Sequence, residues 1–240
     1  MQSTSPLYFM KVAHELLRSV RNLATFRDLA RTDGGLGLNA IGDLVDNFID
    51  SEAMAICVER FRALPGGAAM MDQRYPAFQP DLDKLKNCPE GSLGKAYVEM
   101  FLRLNYDPDF FRPRPVNNDA LWLTQRIATT HDLHHVISGF STKPTGELGV
   151  LAITATQIGF PAFVLLNLLA SFKSFRLQPE TFAETSQAIA HGNMIGLTAK
   201  PLVLQHWEEG WQKPLDQWRF ELGIHRPATG EHYGTDYSYR

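Results

Sequence analysis

The chain has 240 residues, 44% of them apolar and 20% charged, the proportions of a globular protein able to bury a substantial core, which sets aside disordered and fibrous classes. Its 23 Lys and Arg against 26 Asp and Glu leave a net charge of -3, so no broad positive surface exists to hold a phosphate backbone and nucleic acid is excluded as a partner. The 2 cysteines, Cys57 and Cys88, are too few and too far apart for a disulfide framework or a cysteine zinc site, and they fit a reducing compartment.

Apolar residues recur at helical spacing and period-two alternation is scarce. The predicted class is therefore all-α, a single-domain helical bundle over residues 1–224 followed by a polar tail, 225–240. Ser5 and Pro6 form an N-cap and N1 pair that opens a first helix running towards Arg31, with Leu16, Val20 and Leu23 on its core stripe. The opening MQSTSPLYFMKVAHELLRSV has neither a signal-peptide core nor a transit composition and reads as a cytosolic start. A second helix is predicted over 40–49, and Asp50 or Ser51 caps a third that reaches Leu64 before Pro65-Gly66-Gly67.

Residues 70–90 read as loop-rich. Ser92 then caps a helix with Leu93, Tyr97, Met100 and Phe101 on its buried face, and the prolines of 107–115 make an extended connection. Asn118 or Asp119 caps a helix that carries Leu121, Ile127 and Ala128 and ends near Gly139. Later helices are predicted over 146–172, 179–190, 194–209 and 214–222. Residues 148–172 carry no charge, long enough by length alone to cross a bilayer. Thr154, Thr156, Gln157, Gly159, Pro161 and Asn167 interrupt that run, which suits a buried helix or the wall of an apolar cleft better than a membrane span.

The chemistry concentrates in THDLHHVISGFSTKPTGELG, Thr130 to Gly149. At about 100° per residue, Asp132 lies about 100° and His135 about 40° from His131, so the three project within one quadrant. His134 falls about -60° away, outside the fan. Two imidazoles one turn apart can converge on one cation, with Asp132 as a further ligand or as an acceptor that fixes a tautomer. The Gly139 to Gly146 segment reverses the chain and brings Glu147, in the first turn of the next helix, to the opposite side. The competing reading makes these residues capping and surface polar groups on a solvated helix face.

These residues resemble the Coq4 family of ubiquinone biosynthesis, whose hallmark is His-Asp-x-x-His, eleven residues, then Glu. His131, Asp132, His135 and Glu147 match it. CPEGSLGKAYVEMFL, Cys88 to Leu102, is similar to the family's Pro-x-Gly-Thr-Leu-Gly-x-x-Tyr segment, and WEEGWQKPLDQWRFELGI, Trp207 to Ile224, to its Lys-Pro-Leu, Arg, Leu-Gly-Ile signature. The resemblance implies an all-helical fold and one divalent metal on those four residues, zinc before Mg, Fe or Mn. It also implies a prenylated quinone precursor or other isoprenoid lipid as ligand, peripheral attachment to the cytoplasmic side of an inner membrane, quinone-pathway partners and a homodimer. The activity it implies is oxidative removal of the ring C1 carboxylate and its replacement by hydroxyl. Leu133 and His134 depart from the family's Phe-Trp and leave room for an altered headgroup or another quinone pathway.

Lys143, in the loop beside the motif, is the first candidate for a headgroup contact, ahead of Arg112, Arg114, Lys200 and Arg219. Glu184, Gln187 and His191 share a helical stripe that reads as structural, and no Glu-x-x-His pair exists for a di-iron site. Two further readings stand beside the enzyme: a non-catalytic lipid-binding scaffold, and a zincin-like hydrolase. The second has Asp132 where those hydrolases place a longer glutamate base.

Overall fold

Asn118 begins the helix that carries the paired histidines: its side chain accepts from Leu121 N at 2.8 Å, and the helix runs over Asp119–Ser138 until Gly139 turns left-handed at φ 79°. That polar cap and glycine stop were both legible in the sequence. The computed structural model describes residues 38–76, 78–104 and 116–228. The predicted helix from Ser5 to Arg31, the connection with Arg112 and Arg114, and the tail beyond 228 lie outside them.

The chain divides into two compact units, Met1–Ser51 and Glu52–Arg240. The first holds α1, Leu38–Asp46, with Leu44 and Val45 buried. The second holds α2 Glu52–Ala63, α3 Gly67–Asp72, α4 Leu82–Leu85, α5 Leu93–Leu104, α6 Asp119–Ser138, α7 Pro144–Ile158, α8 Pro161–Leu177, α9 Phe182–Thr198 and α10 Leu215–Leu222, with 3-10 turns at Pro179–Thr181, Leu202–Leu204 and Trp207–Glu209. The described residues form no strand, and the fold is all-α. None of their helices is long and apolar enough to cross a membrane.

Three boundaries differ from the sequence reading. The stretch 146–172 is two helices, α7 and α8, because Gly159 ends the first at φ 73° and Pro161 opens the second at its N1 position. Both signals were present, but the absence of charge on either side masked them. Conversely, 179–190 and the start of 194–209 merge into α9, which passes through His191-Gly192 and stops ahead of Pro201. The nominally loop-rich 70–90 contains α3, and α4 with Asp81 as its cap, accepting from Lys84 N at 3.1 Å.

Gly192 does not end α9 because its task is close approach. A Cβ there would stand 2.2 Å from the Gly149 carbonyl oxygen and 2.9 Å from the Ala152 side chain. Helices α7 and α9 therefore cross almost backbone to backbone, over a core that includes Leu133, Ile137, Phe140, Val150, Ile153 and Ile195. The far end of α6 is fastened by the C-terminal segment. Arg219 donates from Nε to Ile137 O at 2.9 Å and from Nη2 to Val136 O at 3.1 Å, and Ala228 N donates to Ser138 O at 2.7 Å. These satisfy three carbonyls that a helix end leaves open and put a cation at its negative pole. Arg219 thus serves the helix end, not a ligand headgroup.

Gly192→Ala should lower stability by roughly 1–3 kcal/mol in urea unfolding. The overpacking against a backbone oxygen exceeds the gain of about 1 kcal/mol that alanine brings to a helix interior. A stability equal to or above wild type would show that the crossing is looser than described.

Candidate metal centre

Helix α6 presents His131 and His135 on one edge, and the reversal through Gly139 and Phe140 returns the chain so that the first turn of α7 faces them. Pro144 fixes the helical start, Lys143 O accepts from Glu147 N at 2.9 Å, and Gly146 lets the turn sit where a Cβ would overlap Ser141 O. Glu147 Oε2 lies 3.0 Å from His131 Nε2 and its Oε1 lies 3.3 Å from His135 Nε2; the two Nε2 atoms are 3.2 Å apart. One carboxylate therefore spans two imidazoles. Among the described residues these three form a group whose ligand atoms all lie within 4.8 Å.

His135 is fully buried, and its Nδ1 lies 3.1 Å from the Phe140 carbonyl oxygen. A carbonyl only accepts, so Nδ1 carries the proton and the neutral ring turns the lone pair of Nε2 towards His131 and Glu147. The Phe163 ring lies 5.9 Å from that of His131 and closes one side. His131 is 14% exposed and Glu147 38%, so the group opens to solvent on the carboxylate's side.

Burial opposes ionisation of Glu147, but the charge of His135 and hydrogen bonds from both imidazoles outweigh it and hold the carboxyl below the usual carboxylate range. Burial likewise opposes the imidazolium of His135, and Glu147 and Asp132 outweigh it, raising that ring's affinity for a proton. The free site thus resembles a proton held between bases, a place a divalent cation can take. Donor separations test the fit: with bonds of about 2.0–2.1 Å, tetrahedral ligands stand about 3.3–3.4 Å apart. The 3.2 Å between the two Nε2 atoms is close to that spacing, and each nitrogen has its own Glu147 oxygen at 3.0 or 3.3 Å, within reach of the same cation. Two nitrogens and a carboxylate also suit a borderline cation such as zinc.

The model of the family described as coenzyme Q (ubiquinone) biosynthesis protein Coq4 matches residues 47–228. The chain belongs to the Coq4 family. Among its curated relatives are the mitochondrial ubiquinone biosynthesis proteins COQ4 of Lodderomyces elongisporus, 33% identical over 61% of this chain and 40% of that protein, and of Yarrowia lipolytica, 28% identical over 78% and 73%. A rat homologue is 32% identical over 68% of this chain and 62% of its own. This Coq4-family chain spans less than half the length of the first of these. A crystal structure of a candidate ubiquinone biosynthesis protein from Nostoc punctiforme PCC 73102 superposes with a TM-score of 0.76 at 25% identity, over 88% of this chain and 97% of that one.

Of the residues singled out in the sequence, His131, His135 and Glu147 meet. Asp132 lies within electrostatic reach of all three and its burial pushes its carboxyl above the usual range, but it is not a member of the tight group. Nor does it fix a tautomer: Phe140 O takes the His135 Nδ1 proton, and His131 Nδ1 is buried without a hydrogen bond. Lys143 stands exposed at the N-cap of α7. His134 lies on the other face, fully buried, with its ring 6.4 Å from that of Trp207 and both nitrogens without hydrogen bonds. Burial, reinforced by His131, His135 and Arg126, keeps it neutral. Sequence reasoning missed Phe140 and Phe163. A backbone carbonyl leaves no sequence signal, and Phe163 was hidden among the apolar residues of its run.

Elemental analysis of purified variants should find His135→Ala depleted of metal and His134→Ala near wild type, at similar helicity; equal loss in both would overturn the assignment of faces. His134→Phe should keep or raise stability, since it removes two buried, unpaired ring nitrogens that cost about 1–3 kcal/mol. Metal binding must displace the proton that Glu147 stabilises on His135. Apparent affinity should therefore rise with pH and level off once His135 is neutral in the free protein. An affinity independent of pH across the histidine range would exclude His135 as a ligand.

Proposed function

We propose that this chain acts in ubiquinone-type quinone biosynthesis, binding a divalent metal, zinc in the first place, on His131, His135 and Glu147, with Asp132 beside them, and a prenylated ring intermediate at the open side. The observation that carries the reading is the convergence of two imidazoles from α6 and one carboxylate from α7 on a point open to solvent. The reaction is oxidative C1 decarboxylation and hydroxylation. When bound, the metal supplies positive charge that stabilises a ring oxygen or carboxylate.

For a ring with a hydroxyl para to the carboxylate, the balance closes without a redox-active metal. The carboxylate leaves as carbon dioxide, one oxygen atom of O2 becomes the C1 oxygen, and the other leaves as water. The ring supplies the four electrons that O2 accepts and departs as a para-quinone. In this scheme His131, His135 and Glu147 would hold the metal, Asp132 takes the phenolic proton, Phe163 limits water beside His131, and Lys143 meets an acidic substituent.

The lipid has a path along α8. From Phe163 beside His131 the helix carries Val164, Leu168, Phe172 and Phe175 outward, the last three 63%, 60% and 59% exposed. Their spacing of four, four and three makes one stripe. Lys173 and Arg176 near its end suit the anionic surface of a membrane. This stripe supports peripheral attachment and a prenyl tail running from the membrane to the site. It equally supports the scaffold reading, in which the chain presents intermediates to other quinone-pathway proteins without turning them over.

Metal-loaded protein given a prenylated 4-hydroxybenzoate under 18O2 should release carbon dioxide and place one labelled oxygen on the ring, and His135→Ala should abolish both. Tight binding without turnover would establish the scaffold instead. Leu168→Glu with Phe172→Glu should reduce co-sedimentation with anionic vesicles severalfold at unchanged helicity. Undiminished sedimentation would remove the stripe from the membrane account.

A further inference from the structure

We infer that Asn167 is a positioning residue for Glu147, acting through the backbone of α7; this rests on the metal reading above. Asn167 was notable in the sequence only as a polar interruption of a charge-free run. It lies on α8, only 9% exposed. Its amide nitrogen donates to Leu148 O at 3.2 Å and its amide oxygen accepts from Ala152 N at 3.1 Å. The reverse orientation would set oxygen against oxygen and N–H against N–H, so the hydrogen-bonding partners select this one.

Leu148 O and Ala152 N are the acceptor and donor of one helical i to i+4 pair. The Asn167 amide therefore spans a single rung of α7, and that rung begins at the residue next to Glu147. This turn is intrinsically the weakest of the helix. Gly146 and Gly149 flank Glu147, and each costs about 1 kcal/mol of helix propensity relative to alanine.

Neither glycine is replaceable by a better helix former. A Cβ at Gly146 would overlap Ser141 O, and one at Gly149 would stand 2.4 Å from the Phe140 ring. The packing that brings Glu147 to the histidines thus weakens the turn that carries it. An amide from α8 restores stiffness without adding a side chain to the crowded face.

The experiment uses the full chain and cobalt(II), whose visible absorption reports its ligands. Wild type binds cobalt with the spectrum of a low-coordinate nitrogen and oxygen site. Asn167→Leu, which removes the amide at similar volume, should weaken cobalt binding about tenfold or more, the range for residues that orient metal ligands, and alter the spectrum. Asn167→Asp, which keeps the acceptor but loses the donor to Leu148 O, should do so to a smaller degree and carries the test if the leucine variant does not fold.

Thr156→Val is the control. It deletes the bond from Thr156 Oγ1 to Asn193 Oδ1, 2.9 Å, near the other end of α7, and should lower the melting temperature with affinity and spectrum intact. Asn167 variants that behave like Thr156→Val, losing stability alone, would overturn the inference. A wild-type chain that binds no cobalt would overturn the metal reading and, with it, this one.

Discussion

A carboxylate that spans two imidazoles one turn apart on a neighbouring helix is demanding to hold in place. Burial opposes the charged forms of both Glu147 and His135, and each offsets that penalty for the other. Such an arrangement is stable only if the helices carrying it cannot drift, because removing either partner leaves an uncompensated charge in a poorly solvated place. Much of the surrounding structure can be understood as meeting that requirement. Gly146 and Gly149 bring α7 down onto Ser141 and Phe140, Gly192 lets α9 brace it from behind, and Phe140 O orients the inner histidine.

The C-terminal segment contributes from a distance in sequence. Arg219 and Ala228 satisfy the last carbonyls of α6, less than one turn beyond His135. Arg126, on the same helix and buried, pairs with Glu208 and donates to Gln205 O. Helix α6 is thus tied to the segment 205–228 at two points along its length. The resemblance of Trp207 to Ile224 to a family signature therefore has a structural explanation that requires no ligand contact from it.

The all-α class, the caps at Ser92 and Asn118 and the glycine stop at Gly139 were legible because each rests on local chemistry: apolar periodicity, a side-chain acceptor or a left-handed residue. The separate placements of His134 and His135 were legible for the same reason, since a helix fixes angles between neighbours. What the sequence hid were matters of tertiary context. Gly192 looks like a helix end until its neighbour across the crossing is known, and Gly159 with Pro161 is a break that charge-free flanks disguise. Asp132 lies about 60° beyond His135 in projection, and only the placement of Glu147 shows that the closest donors are the other three. Polar residues in the apolar run proved to be brackets: Gln157 donates to Lys200 O and accepts from Leu202 N, and Thr156 reaches Asn193.

In the proposed function His131, His135 and Glu147 together bind one divalent cation. X-ray absorption at the metal edge of protein purified without added metal addresses it directly. The structure leads to a first shell of light donors at about 2.0–2.1 Å with the outer-shell scattering of two imidazole rings. A metal-free protein that also fails to take up zinc, or a shell without imidazole, would contradict it.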